Sequence, residues 1–309
     1  MSPFYRPRRV VLNLIKTLKF ASSAIILGSF SGSSLYAHVV PYNKLHLEDR
    51  SQQDTKRNAL YSNAQIAEID ANNFRQLADD IFDRFDDIVY FLGGELSVNA
   101  SWSAETVFAS ASQRGSQWNI NIYGGLARRP EVTFDGLTVV ACHEMGHHLA
   151  GYPQANGWAS AEGNSDYFAI YGCARDFWRD QTETNALYRT IIPEYPKSLC
   201  DERYQNSERQ DLCYREMMAG FSLAELIAYL DNTPINWDTP ETQEVSLTNL
   251  NYPSAQCRLD TLVQSALCDA EFSFDRIPWN ENEVVDVSCH QENGEQTGLR
   301  PRCWFNSRL

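Results

Sequence analysis

The chain has 309 residues, 40 of them acidic and 26 basic, for a formal net charge of −14. So strong an acidic balance argues against nucleic acid or an anionic membrane surface as partner. No aspartate-rich calcium loop stands out, so the charge most simply keeps the protein in solution.

The first 19 residues carry Arg6, Arg8, Arg9, Lys16 and Lys19 and no acid, and a short apolar run, Phe20 to Phe30, follows. Leu35-Tyr36-Ala37 ends on a small residue. This is the layout of a secretory signal peptide, residues 1–37, cleaved after Ala37. The apolar run is too short to span a bilayer. The expectation is export to the periplasm or the extracellular space, with no stable membrane insertion after cleavage. Without the five basic residues of that segment the formal charge falls to about −19. Residues 38–62 are polar and weakly patterned, an N-terminal arm or a short pro-segment. Residues 63–309 then suit one unit with two subdomains, about 63–151 and 152–309.

From Asn63 to Val89, Ile66, Ile69, Phe74, Leu77, Ile81, Phe85 and Ile88 recur with helical period. The opposite face bears Asp79, Asp80, Asp83, Asp86 and Asp87, which reads as a solvated acidic face. Gly93-Gly94 ends the helix. Leu96 to Trp102, Thr106 to Ala111 and Trp118 to Tyr123 then alternate as strands, and Arg114-Gly115-Ser116 forms the turn between the last two.

Next comes His143-Glu144-Met145-Gly146-His147, in a helix predicted from about Gly136 to Ala150. Asp135 suits its N-cap, and Gly151 with Pro153 suits its end. Histidines four residues apart share one helix face and can reach a single Zn²⁺. Glu144 lies beside the metal, placed to take a proton from the attacking water. A third protein ligand is needed. Downstream, Glu162 and Asp166 sit one turn apart on a second helix that includes Tyr167, Phe168, Ile170 and Tyr171. Packed antiparallel, it brings Glu162 to the metal and Asp166 to the second ring nitrogen of His143. His148 is turned away by about 100°, which suits binding a neighbour or lining the cleft and not zinc ligation.

His143-Glu144-x-x-His147 followed by Glu162-x-x-Ser165-Asp166-x-Phe168 resembles the gluzincin metallopeptidases, the thermolysin-like group. The gap between His147 and Glu162 is shorter than in thermolysin-like members, which marks a separate branch. The resemblance implies an α+β, zincin-like fold: a small upper sheet with an edge strand, the active-site helix, and a mostly helical, disulfide-bearing lower subdomain. It implies one catalytic Zn²⁺ held by His143, His147 and Glu162, Asp166 supporting His143, and Glu144 as general base. It also implies that the strand before the zinc helix is a free edge that pairs with an extended peptide or protein substrate. Trp118, Ile120, Ile122 and Tyr123 are then the substrate-binding candidates. The implied activity is secreted or periplasmic, zinc-dependent peptide hydrolysis. The alternatives are hydrolysis of a non-peptide amide such as cell-wall material, or a catalytically silent zinc site. Tyr152, Tyr167, Arg175, Tyr252, Arg258 and His290 are candidate donors to a developing oxyanion.

All eight cysteines lie at or beyond position 142, an even number that suggests disulfides in an oxidising compartment. Cys257 and Cys268 flank Leu259, Leu262, Val263, Ala266 and Leu267, which read as one helix, and are too far apart to pair. Cys142 with Cys173 also fits poorly with straight antiparallel helices, which leaves Cys142 as a possible free thiol. Cys200–Cys213 and Cys289–Cys303 are the expected pairs. Leu212 to Leu230 reads as a core helix, Asn232 to Ser254 as a long loop, and the polar tail from Asn280 as a wrap around the body.

Overall fold

The computed structural model describes residues 36–38 and 69–306. The signal segment and the arm otherwise lie outside the described residues. Tyr36–His38 forms strand β1, so cleavage after Ala37 would cut a strand of the sheet. Among the described residues no helix is long and apolar enough to cross a membrane.

Helix α1 spans Ala71–Phe91 and is capped by Asp70, whose carboxylate accepts from the backbone of Asn72 and Asn73. It buries Phe74, Leu77, Ile81, Phe85 and Val89, while Asp79, Asp80, Asp83 and Asp87 stay exposed as expected. Strands β2 (Glu95–Ser101), β3 (Ala109–Arg114) and β4 (Gln117–Tyr123) follow, with the β3–β4 turn at Gly115, where φ is +58°.

The four-stranded sheet runs β1-β3-β4-β2. This corrects the expectation for the substrate strand. β4 pairs antiparallel with β3 on one side and parallel with β2 on the other, so its backbone has no free edge to offer a peptide. The cause is the return of the chain: β2 passes along the far side of β4 before the β3–β4 hairpin forms, a parallel pairing that alternation in sequence does not reveal. Trp118, Ile120 and Ile122 are accordingly core residues, and Tyr123 packs at a tilt against Phe108.

Helix α2, Phe134–Leu149, carries the His-Glu-x-x-His motif and is buried from Asp135 through Leu149. A helix buried all round sits in the middle of the core. Its N-cap is Thr133, whose hydroxyl accepts from the Gly136 N–H, and not Asp135. Asp135 instead receives two hydrogen bonds from the Arg215 guanidinium, at 2.6 and 2.8 Å. The helix ends as foreseen, with Gly151 at φ +74°. A Cβ there would also stand 2.0 Å from the Pro278 carbonyl oxygen, so no other residue fits without displacement.

The hairpin β5–β6 (Gln154–Asn156, Ala159–Ser160) leads into α3, Glu162–Phe168. This helix continues as a π-helix over Ala169–Ala174. The lower part contains two long helices, α4 (Ser207–Asp231) and α5 (Ala255–Leu267), besides shorter ones, and Asn232 to Ser254 runs between the two without helix or strand, as expected. The whole is a mixed α+β fold with small sheets and a mostly helical lower half.

All eight cysteines are paired: Cys142–Cys173, Cys200–Cys213, Cys257–Cys303 and Cys268–Cys289. Only Cys200–Cys213 agrees with the sequence-based pairs. Cys142 and Cys173 meet because the second helix is not a straight α-helix. Its π-helical stretch packs on α2 and turns Cys173 toward it, with Cα atoms 5.6 Å apart. Cys257 and Cys268, at opposite ends of α5, do not pair with each other; each ties a different stretch of the tail to the helix.

Candidate metal centre

Two backbones must come close for the site to form. Gly146, inside the motif, faces Ser165 on α3, and a Cβ at Gly146 would lie 2.9 Å from the Ser165 Cα. Glycine lets the helices touch here, and that contact aims the face bearing His143 and His147 at the face bearing Glu162 and Asp166. On the other side of α3, Gly163 lies against the indole of Trp304 from the C-terminal tail; a Cβ there would stand 2.3 Å from the ring. The tail thus supports the helix turn that carries Glu162.

His143, His147 and Glu162 each offer one atom to a group whose members all lie within 4.8 Å of one another, and all three residues are buried. Glu162 oxygens stand 3.4 Å from His143 Nε2 and 3.7 Å from His147 Nε2. At metal–ligand lengths of about 2.0–2.2 Å, tetrahedral ligands stand about 3.3–3.5 Å apart. The spacing therefore suits one small divalent ion. The donor atoms agree: both Nε2 atoms and Glu162 Oε2 are buried with no hydrogen-bond partner. Orphaned polar atoms are costly in a protein interior. Three that converge on one point are explained by an ion among them, and a nitrogen–nitrogen–carboxylate set suits zinc.

The outer ring nitrogens are spoken for. His143 Nδ1 lies 2.8 Å from Asp166 Oδ1, and His147 Nδ1 lies 2.9 Å from the Ser160 carbonyl oxygen, which can only accept. Ser165 Oγ is also 3.0 Å from that nitrogen. Each ring therefore carries its hydrogen on Nδ1 and turns the Nε2 lone pair inward. Burial works against charging His143, but the Asp166 carboxylate outweighs it and lifts the imidazole to about 9. His147, equally buried and beside the His143 charge, is driven well below its ordinary value. A metal ion held here would displace the proton that His143 otherwise carries on Nε2.

Behind Asp166 stands Arg258, on α5. Its Nε donates to Asp166 Oδ2 at 2.6 Å and its Nη2 to Oδ1 at 2.7 Å. Its Nη2 is also 3.7 Å from Glu162 Oε2. Burial favours the neutral acid in Asp166, yet Arg258 and His143 hold it ionised, down to about 2. Arg258 was expected among oxyanion donors. The structure places it behind Asp166, which it locks in place, and through Asp166 His143. The signal available in sequence was an arginine in register with Leu262 and Ser265 on the buried stripe of a helix, where a charge demands a buried partner.

Glu144 follows His143 on α2, is fully buried, and is not one of the three converging residues. His148 does not face the site. It lies between the rings of Trp118 and Trp158, with centroids at 5.1 and 5.0 Å, and pins the sheet and the β5–β6 hairpin to the end of α2.

Of the other donors considered, Tyr167 gives its hydroxyl to the Gly298 carbonyl, and Arg175 forms a fork with Glu216 at 2.9 and 3.2 Å. His290 lies on the tail and accepts from the Glu292 N–H, and the Tyr152 phenol, just beyond α2, is raised by burial and by the charge of Glu281, not by a site carboxylate. Tyr252 differs. It is 39% exposed, on the segment between α4 and α5. Burial, together with the nearby charges of Glu162 and Glu144, pushes its phenol well above the ordinary range, against the pull of Arg258. Its phenol therefore stays protonated.

No family model matches the sequence, and no curated protein or solved structure matches it either. What the chain does must therefore be read from the site itself.

Proposed function

We propose that the protein is an exported zinc-dependent peptidase. The observation that carries this reading is the convergence of three unpartnered buried donor atoms, from His143, His147 and Glu162, next to a buried carboxylate, Glu144, outside the ligand set. A carboxylate beside the ligand set but outside it is what activation of an attacking water requires. A bound Zn²⁺ supplies Lewis acidity, which makes water more acidic and polarises a carbonyl. Glu144 accepts the proton of the attacking water and delivers it to the leaving amine. Asp166 and Arg258 keep His143 in the tautomer that presents Nε2. Tyr252 donates its phenolic hydrogen to the oxygen on which charge develops. Four disulfides fit an oxidising compartment, which agrees with the signal-like N-terminus.

The test is digestion of a diverse peptide mixture by the purified protein, with and without a chelator, read by mass spectrometry. Chelator-sensitive cleavage at peptide bonds is expected. Intact peptides under zinc-replete conditions would remove the peptidase reading and leave a non-peptide amide as the substrate class.

Tyr252→Phe removes one hydroxyl from a partly exposed side chain and should leave folding and zinc content unchanged. The loss of one oxyanion donor is expected to lower kcat about 10²-fold with little change in KM. An unaltered kcat would return Tyr252 to the status of a cleft-lining residue.

A further inference from the structure

A cavity of about 300 Å³ opens between α5 and the C-terminal tail, with Asp260, Gln264, Leu299, Arg300, Arg302 and Phe305 among its walls. None of the residues assigned to the metal centre lines it. Its unusual member is Arg300. The other arginines buried to more than nine-tenths are Arg129, Arg215 and Arg258, and each has a carboxylate within hydrogen-bond reach. Arg300 is 8% exposed and has no carboxylate partner among the described residues. Its Nε donates to Asn164 Oδ1 at 3.1 Å and its Nη1 to Ser288 Oγ at 2.6 Å, both neutral groups. Its guanidinium carbon lies 4.5 Å from the Tyr167 ring centre. Nη2 finds no protein acceptor there. A buried cation without a counter-charge is a costly arrangement, and burial depresses its basicity.

Arg302, on the same wall, pairs through Nη2 with Glu244 at 2.8 Å and so has its counter-charge, which leaves Arg300 as the cavity's uncompensated cation.

We propose that this cavity binds a small organic carboxylate, with Arg300 as its counter-ion. A guanidinium presents parallel N–H groups that match a planar carboxylate. Leu299, Phe305 and Pro301 supply apolar wall for the rest of the ligand. Glu241 and Asp260, also lining the cavity, oppose a multiply charged anion such as phosphate and favour a carboxylate that also carries an amine. A free amino acid has this chemistry. The proposal does not depend on the peptidase reading, because it concerns binding at a place the metal ligands do not reach.

The test is titration calorimetry of the zinc-loaded full chain with leucine and, separately, with inorganic phosphate, repeated after chelation. Saturable leucine binding that persists after chelation is expected, with phosphate binding much more weakly. Arg300→Lys keeps the charge and loses the fork, and should weaken leucine about tenfold or more. That residue is buried, so a second variant guards against misfolding: Gln296→Trp places a large ring at the exposed mouth of the cavity. It should weaken leucine to a similar degree while circular dichroism and zinc content stay unchanged. Absence of leucine binding to the folded wild-type chain, phosphate binding as tight as leucine, or leucine binding untouched by both variants or abolished by chelation would each overturn the proposal.

Discussion

Glu144→Gln is expected to retain one equivalent of zinc and to lose hydrolysis by about 10²–10⁴-fold, a cost of about 3–5 kcal/mol in the barrier. The substitution is nearly isosteric, so the packing of α2, on which every neighbour of Glu144 is also buried, is preserved. The three converging donor atoms belong to His143, His147 and Glu162, so the ion has no reason to leave. What is lost is a basic site for the proton of the attacking water, which an amide oxygen does not provide. Zinc by atomic absorption and kcat/KM on a cleaved peptide separate the two effects. Full activity in this variant would show that another group takes the proton; loss of zinc would show that Glu144 supports the metal.

The residues tested here were legible in sequence to very different degrees. His143, Glu144 and His147 follow from helical spacing alone, because four residues return a side chain to the same face within a rigid element. Glu162 and Asp166 were legible for the same reason, once a second helix was granted. The contacts between distant segments were not. That β4 lies inside the sheet depends on where β2 returns, and parallel pairing leaves no mark on either strand's alternation. The pairing of Cys142 with Cys173 hinges on six residues of π-helix, Ala169–Ala174, whose composition reads as ordinary α-helix. The support of Gly163 by Trp304 spans most of the lower half of the fold. Spacing within one helix is a local property of the chain; what packs behind that helix is decided by everything else that folds.

Arg258 shows how far that non-local part reaches into the site. Arg258→Met is expected to destabilise the fold by about 3–5 kcal/mol and to weaken zinc retention. Arg258 is fully buried, and so is Asp166. Both carboxylate oxygens of Asp166 accept from this one guanidinium, and Oδ1 also lies at His143 Nδ1. Removing the cation leaves a buried negative charge supported by a single imidazole. The carboxyl then takes up a proton far more readily than in the wild type, where Arg258 is the largest influence holding it ionised against burial. A protonated Asp166 no longer fixes His143 in the tautomer that turns Nε2 inward, so the ligand set loosens although none of its members has changed. Arg258→Lys keeps a charge but cannot place two parallel N–H groups on the carboxylate, so it should recover only part of the loss. Denaturant unfolding of the zinc-free protein reads the stability term, and zinc remaining after dialysis against a weak chelator reads the metal term. A methionine variant with wild-type unfolding midpoint and full zinc would mean that Asp166 needs no counter-charge, and the bracing of His143 would then have to come from Asp166 alone.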